Sequence, residues 1–317
     1  MKVLVTGAAG FIGFHTTKTL ISRGHQVLGF DNLNDYYDPN LKRARLAMID
    51  NPKSFSFVQG DVADAQAVKS AWDQFQPTHV IHLAAQAGVR YSIENPMAYI
   101  HSNIVGFQNV IELARHRKPE NFVYASSSSV YGGNKTLPFS EDQDVSHPIS
   151  LYAATKLENE LVAKTYSHLY EIPTSGLRFF TVYGPYGRPD MAMFKFSELM
   201  LQKKPIQVYH GGKMIRDFTY VDDIVSGILG ALGKPEKGEV YNLGKGHPDQ
   251  LTDMIALLEQ HLGVKATREM LPIQAGDVEA TLADISKAKV AFGYDPKTSL
   301  AQGVAKFCEW YRGYRKL

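Results

Sequence analysis

An α/β fold built on a doubly wound parallel sheet, with a smaller second domain after it, is what the sequence predicts, on three observations. Short apolar runs alternate with longer helical patterns up to about residue 180. The first run, Lys2-Val3-Leu4-Val5, leads straight into a glycine-rich turn and then a helical stretch. Beyond Arg178-Phe179-Phe180 the pairs Gly184-Pro185 and Arg188-Pro189 mark a looser pattern, assigned to the second domain.

Each element of the alternating part carries its own chemistry. The turn Thr6-Gly7-Ala8-Ala9-Gly10-Phe11-Ile12-Gly13 joins the first strand to a helix near 11–22. Glycines let a backbone approach a pyrophosphate, and a helix amino terminus offers it N–H groups and a favourable dipole. The spacing Gly7, Gly10, Gly13 departs from the Gly-x-Gly-x-x-Gly fingerprint. The second run, Gln26 to Phe30, ends at Asp31 and Asn32, where a carboxylate can accept from the adenosine ribose, which favours NAD over NADP. Lys42, Arg43 and Arg45, on a helix near 41–50, either keep NADP in view or form a solvated face.

The third run, 55–59, ends at Gly60-Asp61-Val62, placed to hold an adenine edge, and a helix follows near 64–75. The fourth, His79 to Leu83, runs into Ala84-Ala85, small residues against which a cofactor can lie; a helix follows near 97–116. The fifth, Asn121 to Tyr124, reads as a buried parallel strand carrying Ser127 at its carboxyl end, where α/β sheets bind ligands. On the next helix, near 150–169, Tyr152 and Lys156 are four residues apart and share a face. An ammonium there favours phenolate, lowering a phenol that otherwise ionises near pH 10 toward the range of a useful base. Ser127, Tyr152 and Lys156 are the candidate catalytic set.

Composition bounds the remainder. At 317 residues and 44% hydrophobic the chain can bury a large core. A net charge of +2 with dispersed basic residues gives nucleic-acid binding no electrostatic support. No apolar stretch reaches bilayer-spanning length, residues 3–5 are too few for a signal-peptide core, and no metal site is expected. The single cysteine, Cys308, excludes an internal disulfide and fits a reducing, cytoplasmic setting, as a partly buried thiol.

With the glycines and the Tyr152/Lys156 pair, the stretches His82 to Arg90, Arg178 to Pro185 and Arg216 to Asp223 make the chain resemble the extended short-chain dehydrogenases/reductases, and within them the NAD-dependent nucleotide-sugar epimerases. The resemblance covers nearly the whole chain. It implies a Rossmann domain over 1–180 with a return near 220–245, a discontinuous substrate domain mainly in 181–317, tightly bound NAD and a UDP-sugar in the cleft between them. It also implies Arg216, with Arg90, at the substrate diphosphate, where an arginine grips oxygens bidentately, and Asp277 among the substrate-binding residues. Many relatives carry an arginine three residues before the position of Asp277; here Gln274 stands there. Tyr209 is placed at the nucleobase, the competing reading being an ordinary edge-strand tyrosine. Relatives commonly pair through two helices per subunit, which implies a homodimer through helices 97–116 and 150–169 and apolar positions such as Ile104, Phe107, Leu157 and Leu161.

Dehydratases of this family carry an Asp-Glu pair just after the position of Ser127, and decarboxylases a glutamate before Val-Tyr-Gly; this chain has Ser128 and Ser129. The expected reaction is therefore 4-epimerisation through a transient 4-keto sugar. The stretch Thr181 to Phe194 resembles the UDP-glucuronate 4-epimerase group more than the UDP-glucose enzymes, as do residues 35–38 and 274–281. Ser128, Ser129, Thr181 and Arg188 are accordingly expected to hold the uronate carboxylate. Alternatives are a polar loop capping backbone N–H groups for the serines and a surface ion pair for Arg188. At the level of function, the alternatives are a UDP-glucose 4-epimerase, a UDP-glucuronate decarboxylase and a non-catalytic NAD-sensing protein.

Overall fold

The computed structural model describes residues 1–49, 51–273 and 278–316. Strand β1 (Lys2–Thr6) sends Val3 and Val5 to one face and Leu4 to the other, the period-two alternation of a strand covered on both sides. Then come α1 (Phe11–Ser22), β2 (Gln26–Asp31), α2 (Pro39–Ala47), β3 (Phe55–Gln59), α3 (Ala65–Phe75) and β4 (His79–His82). Next are α4 (Val89–Glu94), α5 (Pro96–Tyr99), a π-helical segment (Ile100–Val105), α6 (Gly106–Arg117), β5 (Asn121–Ser127), α7 (Leu151–Tyr170) and β6 (Thr174–Phe179).

The chain then leaves the sheet through β7 (Thr181–Tyr183), α8 (Ala192–Leu201), β8 (Ile206–Tyr209), β9 (Ile215–Arg216) and β10 (Phe218–Tyr220). It returns with α9 (Val221–Leu232) and β11 (Lys237–Leu243), and ends with β12 (Asp249–Gln250), α10 (Leu251–Leu262), β13 (Arg268–Leu271), α11 (Ser286–Phe292) and α12 (Leu300–Arg315). The main sheet is seven-stranded and parallel, in the order β3-β2-β1-β4-β5-β6-β11, a Rossmann-like arrangement. Its order reverses between β1 and β4, so the cleft beyond their carboxyl ends is the expected ligand site. β11 joins the sheet after the excursion, within the segment where the resemblance placed a return.

Local chemistry explains the helix boundaries. α2 starts before the expected residue 41 because Asp38 accepts from the Asn40 N–H and Pro39 suits the first turn. Ser150 caps α7 by accepting from the Ala153 N–H. The single helix expected over 97–116 is broken by the π-helical segment. The break places the buried Asn103 amide where its Oδ1 accepts from the Gln86 N–H and its Nδ2 donates to Gln86 O and Thr155 Oγ1. Gly106 follows because a Cβ there would stand 2.5 Å from Val62 Cγ2.

Two other expectations are corrected. Lys42 and Arg45 are buried, leaving Arg43 alone on a solvated face of α2. Phe107 points into its own core beside Phe122 and Tyr124, whereas Leu161 on α7 is exposed.

Between α7, β5 and β6 lies a buried ion pair. Glu160 of α7 accepts from Arg178 Nε and Nη2 of β6 at 2.9 and 2.8 Å and from the Ser126 hydroxyl of β5. Arg178 Nη1 donates to the Tyr131 hydroxyl, which donates to Asn242 of β11. Removing one partner strands the other charge in the core. Glu160→Ala should cost about 3–5 kcal/mol of unfolding free energy in urea titration, and a loss below 1 kcal/mol would contradict this role.

Candidate active site

A cleft of about 820 Å³ opens beyond the carboxyl ends of β1, β2, β4 and β5. At one end the glycine turn forms a close-fitting cradle. Gly7 has φ +70°, and a Cβ on it would stand 2.7 Å from the Ala84 N; a Cβ on Gly13 would stand 2.0 Å from Gly7 O. Helix α1 starts with no side-chain cap, so first-turn N–H groups remain for a ligand where Gly10, Phe11, Ile12 and Gly13 line the cleft. Beneath this turn, burial pushes the His82 imidazole down to about 3, and the neutral ring meets the Thr6 hydroxyl at 2.8 Å.

Asp31 and Asn32 line the wall next to the glycine turn. The Asp31 carboxylate accepts from the Ala9 and Leu33 N–H groups, one on each oxygen, which leaves lone pairs for ribose hydroxyls. Val62, Leu83, Ala84 and Ala85 also line the cleft. Asp61 is not among the lining residues; it accepts from Asn32 Nδ2 and the Ala63 N–H, which makes it a support for Asn32. Lys42, left open between an NADP contact and a solvated face, lines the cleft and donates to Asn34 Oδ1 at 2.7 Å. The cradle, the open helix terminus and the ribose-facing carboxylate fit a dinucleotide.

Further along, Ser127, Tyr152 and Lys156 face the same cleft. Ser127 ends β5 and caps the following turn, its Oγ accepting from the Ser129 N–H at 3.2 Å. Burial pushes the Tyr152 phenol above its ordinary value, while a hydrogen bond with Ser127 and the charge of Arg188 pull it back. Arg188 is thus one cation whose field favours the phenolate. Lys156, expected in that role from its helix position, donates from Nζ to Ala125 O at 2.8 Å.

Ser128, Ser129, Thr181 and Arg188 line the wall beside Tyr152. The capping that might have occupied the serine run falls to Ser127. Arg188 is ion-paired, with Nε and Nη2 on Asp190, and Asp190 also accepts from the Tyr36 hydroxyl at 3.2 Å. That pairing uses two of the five N–H donors of a guanidinium and leaves the other three. At the far end, Arg90 stacks over the Tyr209 ring at 4.9 Å, and Arg216 Nη1 donates to Ile215 O and Glu279 O. Both arginines and Tyr209 line the cleft, whereas Gln274 and Asp277 lie outside the described residues.

Sequence reasoning passed over Tyr36 and Asp190, although both lie in stretches that carry the resemblance. It also passed over Glu160, whose signal was its place one helical turn past Lys156. Among the described residues there is no cluster of His, Cys, Asp or Glu that could hold a metal ion, and no helix is long and apolar enough to cross a membrane. Cys308 is buried outside the cleft, its thiol pushed up to about 12 by that burial.

A dinucleotide cradle continuous with a Ser-Tyr-Lys cluster and an arginine-lined far end defines an enzyme of the extended short-chain dehydrogenase/reductase class. Residues 3–244 match the NAD dependent epimerase/dehydratase family, and the chain belongs to that family. It is similar to UDP-glucuronate 4-epimerase 3 of Arabidopsis thaliana, at 50% identity over 99% of this chain and 77% of that one. It is 47% identical to Protein CapI of Staphylococcus aureus, with both chains fully covered. Among solved structures it resembles the UDP-glucuronic acid 4-epimerase of Bacillus cereus in complex with UDP-glucuronic acid and NAD (TM-score 0.93, 36% identity, 99% of this chain and 100% of that one). The UDP-glucose 4-epimerase of Thermotoga maritima with UDP-glucose gives a TM-score of 0.89 at 30% identity, covering 99% and 100%.

Burial pushes the Lys156 ammonium down to about 8, against the raising fields of Glu160 and Glu158. In the unfolded chain the same group titrates near 10.5. Between those values the unfolded state binds more protons, so this lysine makes folding more favourable as pH rises from about 8 to 10.5, and least favourable below 8. Side-chain NMR of ¹³C-lysine-labelled, cofactor-stripped protein should show one lysine with a midpoint near 8; all lysines titrating near 10.5 would contradict it.

Proposed function

We propose that the protein is an NAD-dependent UDP-glucuronate 4-epimerase, interconverting UDP-glucuronate and UDP-galacturonate through a 4-keto sugar. The observation that carries the reading is the wall beside Tyr152: hydroxyls at Ser128, Ser129 and Thr181 and the cation Arg188, the nearby carboxylate Asp190 being already engaged by Arg188 and Tyr36. Neither serine can supply the carboxylic acid that eliminating water requires. The kinship with UDP-glucuronate 4-epimerases points the same way.

The glycine turn, Asp31, Asn32 and the Val62, Leu83, Ala84 and Ala85 wall would hold NAD, which would supply a hydride acceptor and donor for sugar C4. Tyr152 takes the proton of the 4-hydroxyl and gives it back after the sugar has turned over, and Ser127 hydrogen-bonds the same oxygen. Lys156 fixes the nicotinamide ribose. Arg216 and Arg90 hold the diphosphate, Asp277 is a further substrate contact, and Tyr209 meets the nucleobase. Oxidation at C4 makes a β-keto acid, which loses carbon dioxide when its carboxylate bond aligns with the ketone π system. Ser128, Ser129, Thr181 and the three remaining Arg188 donors hold the carboxylate out of that alignment.

The substrate-holding part is the discontinuous unit in 181–317, and the nucleotide-holding part is 1–180 with its return near 220–245. The exposed Leu161 of α7, with Val105 of the π-helical segment that leads into α6, supports a homodimer through helices 97–116 and 150–169, for which light scattering should give twice the chain mass. A single buried thiol fits a cytoplasmic setting.

Purified protein given UDP-glucuronate and no added cofactor should produce the anomeric proton signal of UDP-galacturonate. Ser128→Ala or Ser129→Ala should add UDP-xylose or depress turnover. UDP-xylose from the wild type, or conversion of UDP-glucose alone, would overturn the reading.

A further inference from the structure

Arg45 of α2 is fully buried, and all of its donors go to neutral oxygens. Nη1 donates to Ala9 O of the glycine turn at 2.9 Å and to the Tyr37 hydroxyl at 2.6 Å. Nε and Nη2 both donate to Tyr186 O, at 3.2 and 2.8 Å, and Nη2 also reaches Gly187 O at 3.4 Å. These five contacts match the five N–H groups that a guanidinium has. From the other side His15 of α1 holds Pro185 O at 2.9 Å. Three successive carbonyls, 185 to 187, are thus held by side chains of the first two helices, and the next residue is Arg188. The held backbone includes Tyr186 at φ +58°, a left-handed conformation that a non-glycine residue keeps only when its surroundings hold it there. The Tyr186 ring packs on Phe14 of α1 and on Trp310.

A charge buried without a carboxylate partner is costly unless its donors are used, and here their use ties one loop to another. We propose that Arg45 is a positioning residue for Arg188: it clamps the backbone at 186 and 187 to the glycine turn, so that the carboxylate-reading side chain is set in register with the cofactor. This rests on the uronate reading of the site. Ala9 and residues 186 and 187 are joined by one rigid guanidinium, so a displacement of the glycine turn is passed to the loop that carries Arg188. A lysine has three donors on a flexible stem and cannot reproduce the planar fork.

Cofactor-loaded wild type, Arg45→Lys, Arg188→Lys and the double variant are compared by kcat and KM for UDP-glucuronate, by calorimetric affinity for UDP, and by NAD content. Arg45→Lys should lower kcat/KM for UDP-glucuronate by on the order of 100-fold. Affinity for UDP, which has no uronate carboxylate, should stay at wild-type level, and rates are expressed per bound NAD. The double variant should be no worse than Arg188→Lys, since both changes act through one contact. Equal weakening of UDP, or multiplicative losses in the double variant, would overturn the proposal. Should Arg45→Lys not fold, hydrogen exchange on the wild type decides. Stripping NAD should speed exchange in 7–14 and 185–190 together, and a change confined to 7–14 would overturn the clamp. A wild type that does not convert UDP-glucuronate fails the uronate reading itself, a result visible before any variant is compared.

Discussion

The buried pair of Arg178 and Glu160 is the contact on which the geometry of the reaction end depends. Glu160 lies one helical turn beyond Lys156 and two beyond Tyr152, and the Ser126 hydroxyl that it accepts is adjacent to Ser127. One carboxylate thereby fixes the helix bearing the phenol and ammonium against the strand bearing the hydroxyl. Through Tyr131 and Asn242 the same network reaches β11, the strand that arrives only after the excursion into the second part of the chain. The pair's contribution is geometry more than net stability, because desolvating two charges offsets much of their attraction.

Two cations near the phenol divide the work. Lys156 is held by a backbone carbonyl and kept close to losing its proton by burial, whereas Arg188 retains its charge and its field favours phenolate at Tyr152. In the proposed chemistry Arg188 also meets the uronate carboxylate. A bound anion reduces the field that Arg188 exerts on the phenol, so holding the carboxylate and activating the base draw on one charge. The hydroxyls of Ser128, Ser129 and Thr181 ease that conflict by carrying part of the carboxylate's hydrogen bonding without adding charge.

Much of this was legible in the sequence because the signals are local. An apolar run followed by glycines dictates strand, turn and helix, and Tyr152 with Lys156 dictates a shared face. What escaped depends on contacts made far along the chain. Arg45 and Lys42 stayed open between an NADP contact and a solvated face because nothing near them shows that Ala9, Tyr186 and Gly187 take the one, or that the other turns to Asn34 at the cleft wall. The π-helical break at Ile100–Val105 was illegible because the helical period continues through it; the break answers to Asn103's partners in the loop after β4 and in α7. The ion pair of Arg188 with Asp190 needed only a two-residue spacing, but its meaning depends on Tyr36 from a distant loop.

At the centre of the proposed chemistry is a sugar oxidised and reduced at C4 with one bound cofactor, its carboxylate held throughout. UDP-glucuronate deuterated at C4, turned over in ordinary water, tests that centre directly. UDP-galacturonate that retains the deuterium at C4, with no carbon dioxide released, is the result the account predicts; product carrying solvent hydrogen at C4 would contradict it.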